Sequence, residues 1–383
     1  MIYGVPFPNL NKSINTGLSF FLSFFFFFFI LLVIYHFTDL YIKITSMAEK
    51  VLLTGASGFI AGHILKLLID AGYFVIGTVR SEGKGEFLKN LYPKSFDYVI
   101  VQDVAAPNAF NEAFKSNPDI KYVQHTASPF SFNEGNKAQD YLEPAVKGTV
   151  SVLKTTKEFG SNVKKVVITS SFAAVIHTNP TDDPNFVYTE KDWNNITLEQ
   201  ASDDSVLINA YLGSKTFAER AAWEFSDKEK PSFAISTVQF PLVWGPPIND
   251  IGLSTLNTSN NVLLNVLKLP KDTTEFNDHS PHWVDVRDVA KAHVVAQTSE
   301  ELDNERAFIY SGVAGTQLVL DVLREVRPDL REKLPVGKPG SFDPSKFPKV
   351  DSSKSQKALG FEVTPLATTL LDVFNWVDAH SEN

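Results

Sequence analysis

Tyr211 and Lys215 in "NAYLGSK" stand four residues apart, a spacing that puts both on one face of a helix. No other tyrosine of the chain is followed by a lysine four residues later. A phenol, with an ordinary pKa of about 10, gives up its proton reluctantly at neutral pH, and a neighbouring ammonium brings that pKa down toward the working range. Upstream, the strand-like "KKVVITSS" ends in two hydroxyls, and Ser171 there can hydrogen-bond an oxygen on which charge builds. Ser171, Tyr211 and Lys215 together describe acid catalysis at a carbonyl.

A second constellation binds rather than reacts. In "TGASGFIAG", Gly55, Gly58 and Ala61 follow an apolar run and open a helical pattern. Gly55 permits a tight turn, Gly58 lets the backbone approach a pyrophosphate, and Ala61 lets helix and strand pack closely. The free amides of the helix start then face the phosphates. Twenty-five residues on, where a carboxylate would receive a ribose 2′-hydroxyl, the chain has Arg80, Ser81 and Lys84. Two cations and a hydroxyl suit a 2′-phosphate, so NADPH is expected in preference to NADH. Asp103, at the end of the third strand, is expected to receive the adenine amino group.

These residues need a frame. Apolar runs at 50–55, 74–80, 98–104, 121–128, 164–171 and 233–240 are rich in Val and Ile without strict alternation, which predicts strands buried on both faces. Amphipathic stretches such as "HILKLLIDAGY" lie between them. The pattern predicts an α/β fold, a Rossmann-type doubly wound parallel sheet with a smaller, mostly helical C-terminal substrate lobe. The expected division is 47–240 plus 282–298 for the nucleotide-binding domain and 241–281 plus 299–383 for the substrate lobe.

Residues 1–46 stand apart. Segment 18–35, "LSFFLSFFFFFFILLVIY", reaches the length of a membrane-spanning helix, with two serines as its only polar side chains. It lacks the basic start and small-residue cleavage site of a secretory signal. The methionine at 47, directly before the glycine motif, is the expected working start. The formal charge is −9, which disfavours a nucleic-acid partner. There is no cysteine, and the eight histidines show no ligand spacing, so no metal is expected. A cytoplasmic monomer or homodimer follows, with membrane contact only if 18–35 is an anchor.

The order Gly-x-x-Gly-x-x-Ala, Ser, Tyr-x-x-x-Lys resembles the extended short-chain dehydrogenase/reductases. Within them, "GFIAGHI", "HTASPF", "VVITSSFAAV", "NAYLGSKTFAERAAWEF", "DVRDVAKAH", "LPVGKPG" and "KSQKALGF" are similar to the NADPH-dependent methylglyoxal and 3-methylbutanal reductases, relatives of dihydroflavonol 4-reductase. The resemblance runs from about residue 47 to the C-terminus. It implies that Ser171, not Ser170, is the catalytic serine, Tyr211 the proton donor and Lys215 its partner, with Arg80 and Lys84 on the 2′-phosphate. The cofactor-lining set further takes in Ser57, Phe59, Ile60, Val104, Thr126, Pro241 and Val243. Two departures touch the substrate side. Where the family shows Asn-Pro-x-x-Val-x-Gly-Pro, this chain reads "FPLVWGP", and Phe172 stands where its nearer members carry Tyr.

Phe130, Phe132, Phe172, Val243 and Trp244 are expected to line an apolar substrate pocket over the nicotinamide. The expected activity is NADPH-dependent reduction of aldehydes or ketones to alcohols. Sugar-nucleotide epimerases and dehydratases would use the same triad with a cofactor that stays bound and is recycled, and the dehydratases would want an acid pair after Ser171, where Phe172 and Ala173 stand instead. A membrane-anchored sterol dehydrogenase would use segment 18–35. A redox-sensing regulator would have dispensed with the Tyr–Lys pair.

Overall fold

Val51, Leu52 and Leu53 are all fully buried, so the strand they form, β1 (Lys50–Thr54), is covered on both faces, as an unbroken apolar run demands. β2 (Phe74–Val79), β4 (Ile120–His125), β5 (Lys165–Thr169) and β7 (Ala234–Gln239) likewise begin within a residue of the stretches the sequence marks out, β4 ending three residues and β5 two residues before them. β3 (Phe96–Ile100) starts two residues earlier and ends four earlier than predicted. There the Asp103 carboxylate accepts the amide of Ala105 at 2.8 Å, a local turn that ends the extended backbone. The computed structural model describes residues 48–128, 136–178, 183, 185–249, 253, 256–278 and 281–381. Segment 18–35, Phe130 and Phe132 lie outside them. Among the described residues no helix is long and apolar enough to cross a membrane.

One further strand, β10 (Glu305–Phe308), completes a seven-stranded sheet of order β10-β7-β5-β4-β1-β2-β3 with every pairing parallel. β10 comes from the stretch expected in the substrate lobe, and its short "ERAF" carries no apolar run that would announce it. The chain winds outward from β1 in one direction and from β4 in the other. The carboxyl ends of these two neighbours therefore flank a crevice that no connection crosses.

Helices cover both faces. α1 (Phe59–Asp70) and α5 (Val286–Thr298) pack together on one, burying Ile64, Leu65, Leu68, Val289 and Ala292. α3 (Gln139–Phe159) and α4 (Leu207–Glu229) pair on the other, over Phe110, Phe114, Val152 and Phe225. The helix α2 (Glu82–Leu91) follows β2.

Past β7 the chain builds a second core around Trp244, Trp283, Leu320, Leu323, Leu370 and Phe374. A three-stranded sheet supports it: β8 (Leu242–Trp244) runs parallel to β9 (His282–Asp285), which pairs antiparallel with β11 (Gly312–Val313). β9 thus belongs to this sheet, while α5, which follows it directly, returns to the main one. A two-residue pair, β6 (Val187–Tyr188) and β12 (Lys349–Val350), ties the tail to the main body.

The close fit of β2 against its neighbours gives a stability test. A Cβ on Gly77 would meet the Phe96 ring at 2.5 Å and Ala56 at 2.8 Å. Overpacking of this kind costs about 1–3 kcal/mol, so Gly77→Ala is expected to lower the denaturation midpoint correspondingly in a urea or thermal melt.

Candidate active site

The turn after β1 opens the crevice. Gly55 has φ +68°, in the left-handed region that favours glycine, and a Cβ there would lie 3.2 Å from Ala127. Its amide donates to Thr78 Oγ1 at 3.0 Å, and that of Gly58 donates to the Gly55 carbonyl at 2.9 Å. No side chain caps the α1 N-terminus, which leaves its first amides to an outside acceptor. Across the crevice, Thr54 Oγ1 accepts the amides of Thr126 at 3.1 Å and Ala127 at 3.0 Å. Its own proton therefore goes to His125 Nδ1, 3.0 Å away. Burial, and then the nearby Lys215 cation, push His125 down to about 4, so the ring stays neutral in this role.

The crevice widens into a cleft of roughly 830 Å³, within the range of small-molecule sites. Gly55, Ser57, Gly58, Phe59 and Ile60 line its floor. Arg80 and Lys84 line one end, both exposed and neither ion-paired with a described residue. Val104, Thr126, Pro241 and Val243 also reach the cleft. Asp103 does not, because its carboxylate is engaged in the turn after β3. The amides of the α1 N-terminus, the glycine turn and two free cations fit a dinucleotide that carries an extra phosphate.

At the other end α4 presents Tyr211 and Lys215, with the Lys215 Nζ 5.9 Å from the centre of the Tyr211 ring. Lys215 donates to Ser128 Oγ at 3.2 Å, a partner in the "HTASPF" motif that the sequence does not single out. The Ser171 side chain hydrogen-bonds Tyr211, and Ser171 Oγ also accepts the amide of Ala173 at 3.1 Å. Burial raises the Tyr211 phenol above its ordinary value, and the Ser171 hydrogen bond opposes that rise. Burial alone lowers Lys215 to about 8. The expectation that the ammonium draws the phenol downward is therefore corrected for the polypeptide by itself. Both charged forms are disfavoured at this site, so two values that nearly coincide in water move apart, the phenol upward and the ammonium downward.

On the substrate side Phe172, Ile176, Ile208, Leu212 and Leu242 add apolar wall. Ile208 sits one turn before Tyr211 and is half exposed, a position the helical spacing around the Tyr–Lys pair could have revealed. Phe172 stacks on Phe308 at 5.3 Å. Trp244 does not reach the cleft. Its indole instead stacks on Trp283 at 5.4 Å in the second core. Among the described residues no group of three acidic or histidine side chains is placed to hold a metal.

The sequence model of the NAD dependent epimerase/dehydratase family matches residues 51–310. The NADPH-dependent methylglyoxal reductase of Saccharomyces cerevisiae is 39% identical over 84% of this chain and 96% of its own. The ketoreductase azaE of Aspergillus niger is 40% identical over 85% of this chain and 97% of its own. Among solved structures, Gre2 from Candida albicans in complex with NADPH superposes with a TM-score of 0.81 at 40% identity, covering 87% of this chain and 99% of that one.

The buried lysine has a measurable consequence for stability. Its folded value of about 8 lies below the ordinary 10.5, so between these values the unfolded chain binds more protons and stability rises with pH. Below that window the folded state carries the full cost of a buried cation. Lys215→Met is expected to stabilise the protein by about 1–3 kcal/mol at neutral pH, with the gain shrinking through pH 8–10.5, as denaturant titrations across that range will report.

Proposed function

The chain belongs to the NAD dependent epimerase/dehydratase family, and from that premise we propose that it reduces aldehydes and ketones to alcohols at the expense of NADPH. The carrying observation is a single cleft with Arg80 and Lys84 at one end and Ser171, Tyr211 and Lys215 at the other. The relatives' names add weight, since one reduces methylglyoxal with NADPH and another is a ketoreductase.

When bound, the reduced nicotinamide supplies the hydride that the carbonyl carbon receives. Tyr211 gives its phenolic proton to the carbonyl oxygen, and Ser171 hydrogen-bonds that oxygen as negative charge builds. Lys215 stabilises the phenolate left behind. The glycine turn and the α1 N-terminus hold the pyrophosphate, while Arg80 and Lys84 hold the 2′-phosphate. Phe172, Ile176, Ile208 and Leu212 suit a neutral substrate with an aliphatic or aromatic arm. Phe172 and Ala173 after Ser171 offer no acid for elimination, which favours reduction over dehydration. A chain without cysteine suits a reducing compartment, and we place the activity in the cytoplasm.

The full chain is expected to oxidise NADPH in the presence of methylglyoxal, 3-methylbutanal or an aromatic ketone. Tyr211→Phe should lower kcat by about a hundredfold to ten-thousandfold, the usual worth of a general acid. Tight NADPH binding without turnover of any carbonyl would sink the proposal. Replacing Arg80 and Lys84 together by Ala is expected to raise KM for NADPH by about ten- to a hundredfold and leave KM for NADH nearly unchanged, because only the phosphate contacts are lost.

A further inference from the structure

Eight residues beyond Tyr211 and four beyond Lys215, Glu219 lies within an arc of about 80° of both on α4. It is 2% exposed, and a buried carboxylate is tolerated only when paired and hydrogen-bonded. Arg306 on β10 supplies the pairing through Nε at 2.7 Å. Nη2 adds a longer bond to the same carboxylate at 3.3 Å, Nη1 donates to the carbonyls of Glu190 at 2.7 Å and Asp192 at 2.6 Å, and the guanidinium carbon lies 3.8 Å from the Trp193 ring centre. A charge pair alone would need no more. Yet Glu219 also accepts from Thr237 Oγ1 at 2.8 Å, from Gln239 Nε2, from Trp223 Nε1 at 3.3 Å and from Ser170 Oγ.

The bond from Ser170 matters most. The amides of Ser170 and Phe172 donate to the carbonyls of Val238 at 2.9 Å and Phe240 at 2.8 Å, so this segment continues β5 alongside β7. Ser171 has φ −158° and ψ 155°, extended backbone that sends neighbouring side chains to opposite sides. Glu219 holds Ser170, and the adjoining Ser171 hydrogen-bonds Tyr211 one step further along the same strand end.

We propose that Glu219 is a positioning residue: by holding Ser170 and Arg306 with one buried carboxylate, it locks the helix that carries Tyr211 and Lys215 to the strand end that carries Ser171. The inference rests on the catalytic roles proposed above. It assigns Glu219 no contact with substrate or cofactor; its effect passes through Ser170 and the α4 backbone.

Ser170→Ala and Glu219→Gln in the full chain, with Tyr211→Phe as control, test it through kcat for 3-methylbutanal, KM for NADPH, the pH profile and the thermal midpoint. Both variants should lose kcat on the order of tenfold or more, since a misplacement of about 1 Å can cost a hundredfold, with KM for NADPH held within about twofold. The alkaline limb of kcat should move to higher pH, because the Ser171 bond that restrains the phenol is weakened. Should Glu219→Gln fail to fold, Ser170→Ala decides, because it leaves the pair with Arg306 intact. Wild-type kcat and an unmoved alkaline limb in a folded variant overturn the inference, as does a loss of activity matched in full by loss of folded protein. Undiminished turnover in Tyr211→Phe overturns the catalytic reading beneath it as well. An inactive Tyr211→Phe beside a fully active Ser170→Ala overturns the positioning role alone.

Discussion

One buried hydroxyl decides the shape of the crevice. β1 and β4 run side by side, and the chain leaving β4 must be turned aside if anything is to enter between their ends. Thr54 does this by accepting the amides of Thr126 and Ala127 while donating to His125. Ala127 is thereby brought against Gly55, where a Cβ would sit only 3.2 Å away on a left-handed backbone. The next residue, Ser128, meets Lys215. The glycine turn, the neutral histidine and the lysine's place are consequences of the same constraint.

Dryness governs the chemistry that follows. Tyr211 and Lys215 are both partly withdrawn from water at the cleft wall, so each is pushed toward its neutral form, the phenol's value rising and the ammonium's falling without either having to contact the other. Their proximity sets geometry; burial sets the proton affinities. Around them charge is handled by two different routes. Arg80 and Lys84 stay exposed at the rim, ready for a ligand, whereas Glu219 and Arg306 satisfy each other inside.

The sequence made much of this legible because the signals are local. A turn, a strand end and a one-turn helical spacing each occupy fewer than ten residues, so the glycine motif, Arg80 with Lys84 and the Tyr–Lys pair can be read without knowing the fold. What escaped is of another kind. β10 is four residues with two charges, recognisable only by its neighbour β7. β8 is three residues long, too short for alternation to reveal that Trp244 lies outside the cleft. Asp103 spends its carboxylate on a turn that the longer apolar run concealed. Glu219 and Arg306 lie 87 positions apart, and nothing near either names the other.

That separation also has a history in time. As the polypeptide emerges, α4 and its buried carboxylate are complete long before β10 is available, and a carboxylate without its partner resists burial by several kcal/mol. The half-made sheet therefore closes around Glu219 at a cost until Arg306 has been synthesised, and the strand end beside α4 is among the last parts to become dry. A nascent chain halted before residue 306 would keep its helix wet, its strand ends loose and its acid uncommitted, leaving a surface open to chaperones.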